Sequence, residues 1–271
     1  MKINEMRALL DKRNIQLTRS LGQNFLHDSN QLKRIADAGE VTKADKVLEI
    51  GPGLGPLTEF LLERAGEVLA IEMDRRLVEV LKEQFPQLNL VHDDALAYIR
   101  RKPRDWTEWK LVANLPYSVA SPILIELALA AQRPKQMTVT LQLEVAQRLM
   151  AAADDDDYGV LTLLVQLDYE PRGWFKIPAS CFFPAPNVDS ACVTLVRRET
   201  RFLSDALRPM FVRIVKRAFS QRRKMMLKLL KAEWPADKLE QAFTELKISP
   251  MERAEKLSLE QFVELTKLLA S

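Results

Sequence analysis

Apolar and polar positions follow two alternating patterns over about the first two hundred residues. Short apolar runs, typical of buried strands, alternate with stretches whose apolar residues are three or four positions apart, typical of amphipathic helices. The predicted strands are residues 46–50, 68–72, 88–92, 110–113, 136–143, 169–177 and 188–196. The predicted helices are residues 28–39, 56–65, 75–85, 122–131, 144–153 and 158–167. This alternation predicts an α/β fold with a mostly parallel, doubly wound sheet.

The pattern changes after Arg198, where only helical spacing remains. The predicted helices there are residues 205–219, 222–231, 236–246 and 259–269. Their apolar residues recur at a spacing near 3.6, so each helix can bury one face in a small helical domain. We therefore predict two domains: residues 1–198, an α/β domain with a basic N-terminal segment, and residues 199–271, a smaller all-helical domain.

Composition fits a folded protein and disfavours several functional classes. The chain has 271 residues, of which 47% are hydrophobic, enough for one large domain and a smaller one. No apolar run approaches the roughly 18 residues of a membrane span, and the N-terminus lacks the apolar core of a secretory signal. We therefore expect a cytoplasmic protein without membrane association, with an organellar location as the alternative if a transit peptide was removed. We expect no metal site, because Cys181, Cys192, His27 and His92 have no metal-ligand spacing.

Basic residues are concentrated in two segments of the chain. The net charge is only +3, but residues 197–231 contain twelve Lys or Arg against two acidic residues. A second segment, near the N-terminus, carries Lys2, Arg7, Lys12, Arg13 and Arg19. Such segments can follow a phosphate backbone, with solvated helix faces as the alternative interpretation. The candidate RNA-binding residues are Arg217, Arg222, Arg223 and Lys224.

A glycine-rich turn joins the first predicted α/β strand to the following helix. Residues 49–55 are Glu-Ile-Gly-Pro-Gly-Leu-Gly, and glycine lets a backbone approach a ligand at the positive end of a helix. The spacing Gly-x-Gly-x-Gly differs from the Gly-x-Gly-x-x-Gly of dinucleotide-binding proteins, whose third glycine is replaced here by Pro56. A nicotinamide cofactor is therefore disfavoured.

Carboxylates follow the next two predicted strands. Glu72 ends strand 68–72, where it can accept both ribose hydroxyls of a nucleoside, although an exposed acid at a helix start is the alternative. Asp94 follows strand 88–92 and can accept a hydrogen bond from an adenine amine; Asp93 is its rival by one position. The sequence has no Gly-Lys-Ser/Thr phosphate-binding element. Together these features favour S-adenosylmethionine (SAM) over a phosphate-bearing cofactor.

The tetrad Asn114-Leu115-Pro116-Tyr117 follows the predicted strand 110–113 and can hold a flat ring that bears an amine. The Asn114 side chain and the Leu115 carbonyl can accept the two amine hydrogens. Pro116 stiffens the turn, and Tyr117 offers a face for stacking. Two such hydrogen bonds aim the nitrogen lone pair at a sulfonium methyl, so positioning replaces a strong base. An adenine inside a nucleic acid must first leave its stack.

Five sequence blocks, in order, resemble the signatures of the rRNA adenine dimethyltransferases that modify the small ribosomal subunit. The blocks are residues 22–26 (GQNFL), 49–58 (EIGPGLGPLT), 114–117 (NLPY), 183–190 (FPAPNVDS) and 219–224 (FSQRRK). The resemblance covers nearly the whole chain. It implies a Rossmann-like class I SAM-dependent methyltransferase with a seven-stranded sheet, direct methyl transfer and no metal.

The same resemblance implies the roles of individual residues. The implied SAM-binding residues are Asn24, Leu26, Gly51, Gly53, Glu72, Asp94 and Asn114. The implied catalytic residues are Asn114, Leu115, Pro116, Tyr117 and Phe182. Phe182 would stack on the target base, with Phe183 as its rival and core packing as the alternative for both rings.

The implied substrate is a pair of adjacent adenosines in the 3′-terminal hairpin loop of 16S rRNA, each methylated twice at N6 within an immature 30S subunit. The resemblance also implies a monomer that assists ribosome biogenesis. A macrolide-resistance type of 23S rRNA methyltransferase is the alternative enzyme, and a non-catalytic ribosome-assembly factor is the alternative class. A DNA adenine methyltransferase is disfavoured, because those enzymes usually have proline where this chain has Leu115.

Overall fold

The computed structural model describes Met1 and residues 3–17, 23–101 and 104–270. Lys2 and Arg19 of the N-terminal basic segment, and Gly22 of the first sequence block, lie outside the described residues. The described helices are α1 (Ile3–Lys12), α2 (Ser29–Ala38), α3 (Pro56–Arg64), α4 (Arg75–Gln84), α5 (Ala95–Arg101), α6 (Ala120–Leu129), α7 (Leu143–Met150), α8 (Val160–Gln166), α9 (Arg208–Ala218), α10 (Met226–Leu230), α11 (Ala236–Glu245) and α12 (Leu259–Ala270).

The described strands form one large sheet and one small one. They are β1 (Phe25–Leu26), β2 (Lys46–Ile50), β3 (Glu67–Glu72), β4 (Asn89–His92), β5 (Trp109–Asn114), β6 (Gln136–Gln142), β7 (Tyr169–Ile177), β8 (Phe182–Phe183) and β9 (Ser190–Arg197). The large sheet has the order β4-β3-β2-β5-β6-β9-β7, and β1 pairs with β8 in the small one. Strands β2 to β6 are mutually parallel, and β9 is antiparallel to β6. The prediction of a seven-stranded, mostly parallel sheet is confirmed.

The chain divides into two compact units. The first comprises Met1–Ala146 and Pro171–Arg197, and the second comprises Gln147–Glu170 and Arg198–Ser271. The second unit therefore includes residues 147–170, which the sequence pattern assigned to the α/β domain. The resemblance implies that residues 1–198 form the catalytic domain and residues 199–271 an RNA- or ribosome-binding domain, and this functional division stays a prediction.

Apolar residues on both faces of the central strands form the core of the first unit. Val47, Leu48, Leu111 and Val112 have no exposed side-chain surface, and β2, β3 and β5 are almost entirely buried. Strands buried on both faces are expected where helices cover a parallel sheet. In register, Ile50 lies beside Ile71, so β2 and β3 end at the same sheet edge. Their carboxyl ends deliver the glycine turn and Glu72 to one place.

The helices of the second unit pack around an aromatic cluster. The Phe219 ring, directly after α9, lies 6.1 Å from the Tyr158 ring and 6.1 Å from the Phe262 ring of α12. A buried ion pair also joins Asp168 to Arg208 at the start of α9. None of the described helices is long and apolar enough to span a bilayer.

The structure differs from the predicted elements at two kinds of place. Helices α1 and α5 were not predicted. In α1 the helical spacing of Ile3, Met6 and Leu10 was the available signal, whereas α5 has only seven residues and buries only two side chains. The predicted helix 222–231 was too long at its start, since α10 covers only Met226–Leu230. Lys224 instead closes a turn by donating its N–H to the Gln221 carbonyl (3.0 Å).

Candidate active site

A cavity of about 260 Å³ lies in the first unit, at the carboxyl ends of the parallel strands. This is the edge where open α/β sheets usually bind ligands. All seven predicted SAM-binding residues line the cavity, together with Leu115, Pro116 and Tyr117. The structure therefore brings ten of the eleven predicted cofactor-binding and catalytic residues to one place; Phe182 is the exception.

The glycine turn after β2 depends on a backbone that side chains disfavour. Gly51, Gly53 and Gly55 have φ angles of +67°, +64° and +82°, which glycine adopts with little strain. A Cβ at Gly53 would also lie 2.7 Å from the Phe25 ring. Glycine at position 53 thus lets the turn and Phe25 pack together along the cavity wall.

Glu72 fixes this turn to the end of β3. Its carboxylate accepts hydrogen bonds from the backbone N–H groups of Gly53 (3.1 Å), Met73 (2.9 Å) and Asp74 (2.9 Å). Burial raises the pKa of Glu72, while these three hydrogen bonds oppose the rise. The result is a rigid acceptor at the cavity, as the ribose-binding prediction requires.

Glu49 is a second buried carboxylate in the cavity wall, and the sequence reasoning did not assign it a role. It accepts a hydrogen bond from the Thr58 hydroxyl (2.7 Å) and is 1% exposed. Burial raises the pKa of Glu49 to about 8, and the neighbouring charge of Glu72 adds to the rise. Among the described residues, neither carboxylate has a lysine or arginine partner. An acid at the end of a buried strand, two residues before Gly51, was the available signal.

Asn114 presents an unpaired acceptor in the cavity wall. It ends β5, and its Nδ2 donates a hydrogen bond to the Asn24 carbonyl (3.2 Å). This bond fixes the orientation of the amide and leaves Oδ1 as the other polar atom. Oδ1 is buried and accepts no hydrogen bond from any described residue. Because buried acceptors are rarely unpaired, this atom indicates a site for a ligand that donates a hydrogen bond.

The remainder of the tetrad is held by backbone and side-chain bonds. The Leu115 N–H donates to the Thr140 carbonyl (3.0 Å) of β6. The Tyr117 hydroxyl lies 2.5 Å from the hydroxyl of Ser190, at the start of β9. Burial raises the pKa of Tyr117, and the bond to Ser190 opposes that rise. Ser190 was not identified as a site residue from sequence, although it ends the fourth sequence block.

Asp93 and Asp94 both line the cavity, but their partners differ. Asp93 forms an ion pair with Arg101. Asp94 accepts the Ala97 N–H (2.7 Å) in the first turn of α5, and it forms no ion pair among the described residues. The geometry therefore leaves Asp94 as the better candidate of the two.

Phe182 does not line the cavity. Its side chain is 2% exposed and packs in the apolar core with Leu26, its partner in the β1–β8 pair. Phe183 does not line the cavity either. Its ring contacts the Arg7 guanidinium, which lies 4.9 Å from the ring centroid. Core packing is thus the role of Phe182 in this structure, and its stacking on a base stays a prediction. Tyr117 is the predicted stacking residue that does line the cavity.

Similarity to known proteins covers nearly the whole chain. The family model described as ribosomal RNA adenine dimethylase matches residues 14–271. The chain belongs to this family. A relative from Clostridium perfringens, called ribosomal RNA small subunit methyltransferase A, is 39% identical over 97% of this chain and 95% of its own. One of the same name from Streptococcus pneumoniae is 38% identical over the same shares.

Solved structures agree with this assignment. A dimethyladenosine transferase from Plasmodium falciparum has 26% identity and a TM-score of 0.73, with 89% of this chain and 95% of the other covered. The 23S rRNA methyltransferase ErmE has 28% identity and a TM-score of 0.70, with 92% and 100% covered. The prediction of a SAM-dependent rRNA adenine dimethyltransferase with a Rossmann-like fold is therefore confirmed.

The predicted RNA contacts of this dimethyltransferase have unequal surroundings in the second unit. Arg217 donates through Nε to the Leu229 carbonyl (2.8 Å) and lies near Glu233, so part of its role is structural. Arg222 donates to the Asp156 carbonyl (2.6 Å). Arg223 and Lys224 are exposed. The turn at 222–224 therefore presents cations to solvent, and their role in binding RNA stays a prediction.

Proposed function

We propose that this enzyme dimethylates N6 of two adjacent adenosines in the 3′-terminal hairpin loop of 16S rRNA. In this proposal the substrate is an immature 30S subunit, and the enzyme is a cytoplasmic monomer that also assists subunit assembly. Support for the small-subunit target comes from relatives with that name at 36–39% identity over almost the full chain. The single observation that carries the chemistry is the buried, unpaired Oδ1 of Asn114.

The residues that line the cavity suit SAM. Glu72 is the acceptor for ribose hydroxyls, Asp94 is the acceptor for the adenine amine of the cofactor, and the Gly51–Gly53 turn admits the methionine part. Two buried carboxylates without a cationic partner complement a ligand that carries positive charge. Bound SAM supplies a methyl group already activated by its sulfonium. No metal ligand set is needed for this chemistry.

The tetrad then orients the target amine. Asn114 Oδ1 accepts one amine hydrogen, and the Leu115 carbonyl accepts the other. These bonds favour a tetrahedral nitrogen whose lone pair points at the methyl carbon, and stacking on Tyr117 holds the ring. Asn114 therefore acts by positioning. The N–C bond forms as the S–C bond of the sulfonium breaks, and the methylated nitrogen, now positively charged, then loses its proton to water. After one methylation, a single amine hydrogen remains to be accepted.

The proposed target is tested with labelled SAM and 30S particles that lack the modification. We expect four methyl groups per particle, mapped as two neighbouring dimethyladenosines in the 3′-terminal loop of 16S rRNA. The 50S subunit is the matched control. Label found only in 23S rRNA would replace this target with that of the macrolide-resistance type.

Asn114→Ala tests the positioning role. We expect a loss of kcat of about a hundredfold or more, because misplaced reacting groups lose that much. Binding of 30S particles should change little, since the basic residues that bind phosphates are untouched. Equal losses of kcat and of 30S affinity would contradict positioning and would make Asn114 a general binding residue.

A further inference from the structure

One tryptophan of the first unit is exposed. The chain has four tryptophans, and Trp106, Trp109 and Trp234 are at most 9% exposed. Trp174 is 49% exposed. It lies in β7, an edge strand of the large sheet. Tryptophan on a protein surface frequently marks a contact with another molecule.

Two basic residues share the strand face of Trp174. Side chains of a strand alternate between its faces, so Arg172, Trp174 and Lys176 project to the same side. All three are exposed. We name the three side chains the β7 stripe. It is an open surface with an aromatic ring between two positive charges.

Basic residues predominate in the segment that carries the stripe. Residues 171–188 contain two basic residues and no Asp or Glu, although Glu170 and Asp189 lie directly outside this range. Lys176 forms an ion pair with Asp189 (2.7 Å), but both side chains are partly exposed, and such pairs exchange readily for other partners. A polyanion is therefore the class of partner that fits the two charges.

The ring decides between polyanions. Alternate residues of a strand are about 7 Å apart, so each cation lies near that distance from the Trp174 ring along β7. A nucleotide strand offers a base to stack on an indole, with phosphates on both sides of it. An acidic peptide offers charges and no such flat face. The combination thus favours single-stranded nucleic acid.

The stripe also lies near the candidate active site along the chain. Trp174 and Phe182 are eight positions apart, a length of chain that can span at most about 29 Å. Phe182 pairs in β8 with Leu26, which lines the cavity. Nucleotides a few positions from a target adenosine in the cavity are therefore within reach of the stripe.

We propose that the β7 stripe binds a single-stranded segment of the rRNA substrate, with one base stacked on Trp174 and flanking phosphates on Arg172 and Lys176. The proposal rests on the rRNA substrate and extends it to a surface outside the cavity. It concerns binding of substrate and not the chemical step. Its variants should therefore raise KM for 30S particles and leave kcat and SAM affinity unchanged.

Fluorescence tests the contact directly, because Trp174 is the exposed tryptophan of the four. The wild-type protein is titrated with protein-free 16S rRNA, which contributes no tryptophan, and acrylamide quenching is measured with binding monitored independently. We expect the acrylamide-accessible fluorescence to disappear when the rRNA is bound. Trp174→Phe is the control, since it should have little accessible fluorescence with or without rRNA.

Variants test the energetic part. Trp174→Ala should raise KM for 30S particles about tenfold, whereas Trp174→Phe, which keeps a stacking ring, should stay within about threefold of wild type. Arg172→Gln with Lys176→Gln should reduce the slope of log affinity against log salt by one to two. Gln87→Ala, at an exposed uncharged residue in the turn after α4 of the first unit, is the control and should change neither quantity.

The failure of this proposal is distinguishable from failure of the proposed target. Wild-type methylation that maps outside 16S rRNA would overturn the target whatever Trp174 does. Correct methylation, with Trp174 still accessible to acrylamide in the rRNA complex and an unchanged KM for Trp174→Ala, would overturn the stripe as an RNA contact. That second result would instead direct attention to a protein partner at the edge of the sheet.

Discussion

Two buried carboxylates, one just before strand β2 and one near its other end, have opposite surroundings. Asp45, just before the strand, forms ion pairs with Lys135 (2.7 Å) and Lys110 (3.2 Å). Glu49, near the other end, has only the hydroxyl of Thr58 as its hydrogen-bond donor among the described residues. Both are at most 5% exposed, so burial alone does not distinguish them.

The pKa values of the two groups show what their partners do. Burial alone would raise the pKa of Asp45, but hydrogen bonds from Lys135, Thr42 and Lys110 hold it below its usual range. Glu49 has no such cation, and burial raises its pKa to about 8. A buried charge that the protein itself neutralises supports the fold. One that it leaves unneutralised is expected where a ligand supplies the opposite charge.

The largest effect is expected at the neutralised end. Asp45→Asn leaves two ammonium groups without their anion, and breaking a buried ion pair in this way costs about 4 kcal/mol. The free energy of unfolding, measured by urea denaturation at pH 7, should fall by that amount. SAM affinity measured by calorimetry should not change, because Asp45 lies outside the cavity lining.

An exposed ion pair provides the control for Asp45. Glu79 and Lys82 form a pair on the surface of α4, with more than half of each side chain exposed. Glu79→Gln should change the free energy of unfolding by less than about 0.5 kcal/mol. A similar small change for Asp45→Asn would mean that the ammonium groups find other partners and that the cluster is not essential to the fold.

The next largest effect, that of Glu49→Gln, should raise the free energy of unfolding instead of lowering it. Glu49 is ionised above about pH 4.5 in the unfolded chain and above about pH 8 in the folded one. The folded state therefore favours the neutral acid, and stability present below pH 4.5 is lost as the pH rises to about 8. Glu49→Gln removes this loss and should stabilise the protein without SAM by about 3 kcal/mol at pH 7.

The same substitution should weaken cofactor binding, because the positive charge of SAM favours ionised Glu49 and glutamine cannot ionise. Urea denaturation between pH 4 and pH 9, with calorimetry of SAM binding, measures both effects. The gain in stability should vanish near pH 4. A gain that is independent of pH would show that packing, and not the ionisation of Glu49, is responsible.

The sequence located the elements of the candidate site where they depend on local backbone, and the roles of the site residues stay predictions. The turn at residues 49–55 and the tetrad at 114–117 each follow a strand whose apolar run is visible, and parallel strands bring both to one edge. Partners distant in sequence were not predictable in this way. The Asn24 carbonyl meets Asn114 across 90 positions, and Asp45 meets Lys110 across 65, because only the folded sheet aligns them.

The aromatic segment after β7 is a second case in which the sequence could not predict the contacts of a side chain. Two adjacent phenylalanines, Phe182 and Phe183, are equally suited to stacking and to core packing by composition. Their pairing with β1 was invisible in the sequence, because two-residue strands have no measurable periodicity. The structure buries the Phe182 side chain and leaves Tyr117 in the cavity wall.

The smallest effect on activity is expected at the hydrogen bond between the hydroxyls of Tyr117 and Ser190. Here, at the cavity end of the sheet, the protein itself provides the partner of a polar side chain. This bond holds the Tyr117 ring, while Ser190 itself does not line the cavity. Ser190→Ala and Tyr117→Phe each remove it, and a single hydrogen bond is worth about 1 kcal/mol, which corresponds to about fivefold in kcat. SAM affinity should be unchanged in both variants.

The double variant should be no slower than either single one, because the two groups act as one unit. If the loss of kcat in the double variant equals the product of the two single losses, Ser190 and Tyr117 act separately. Ser190 would then have no part in holding the ring.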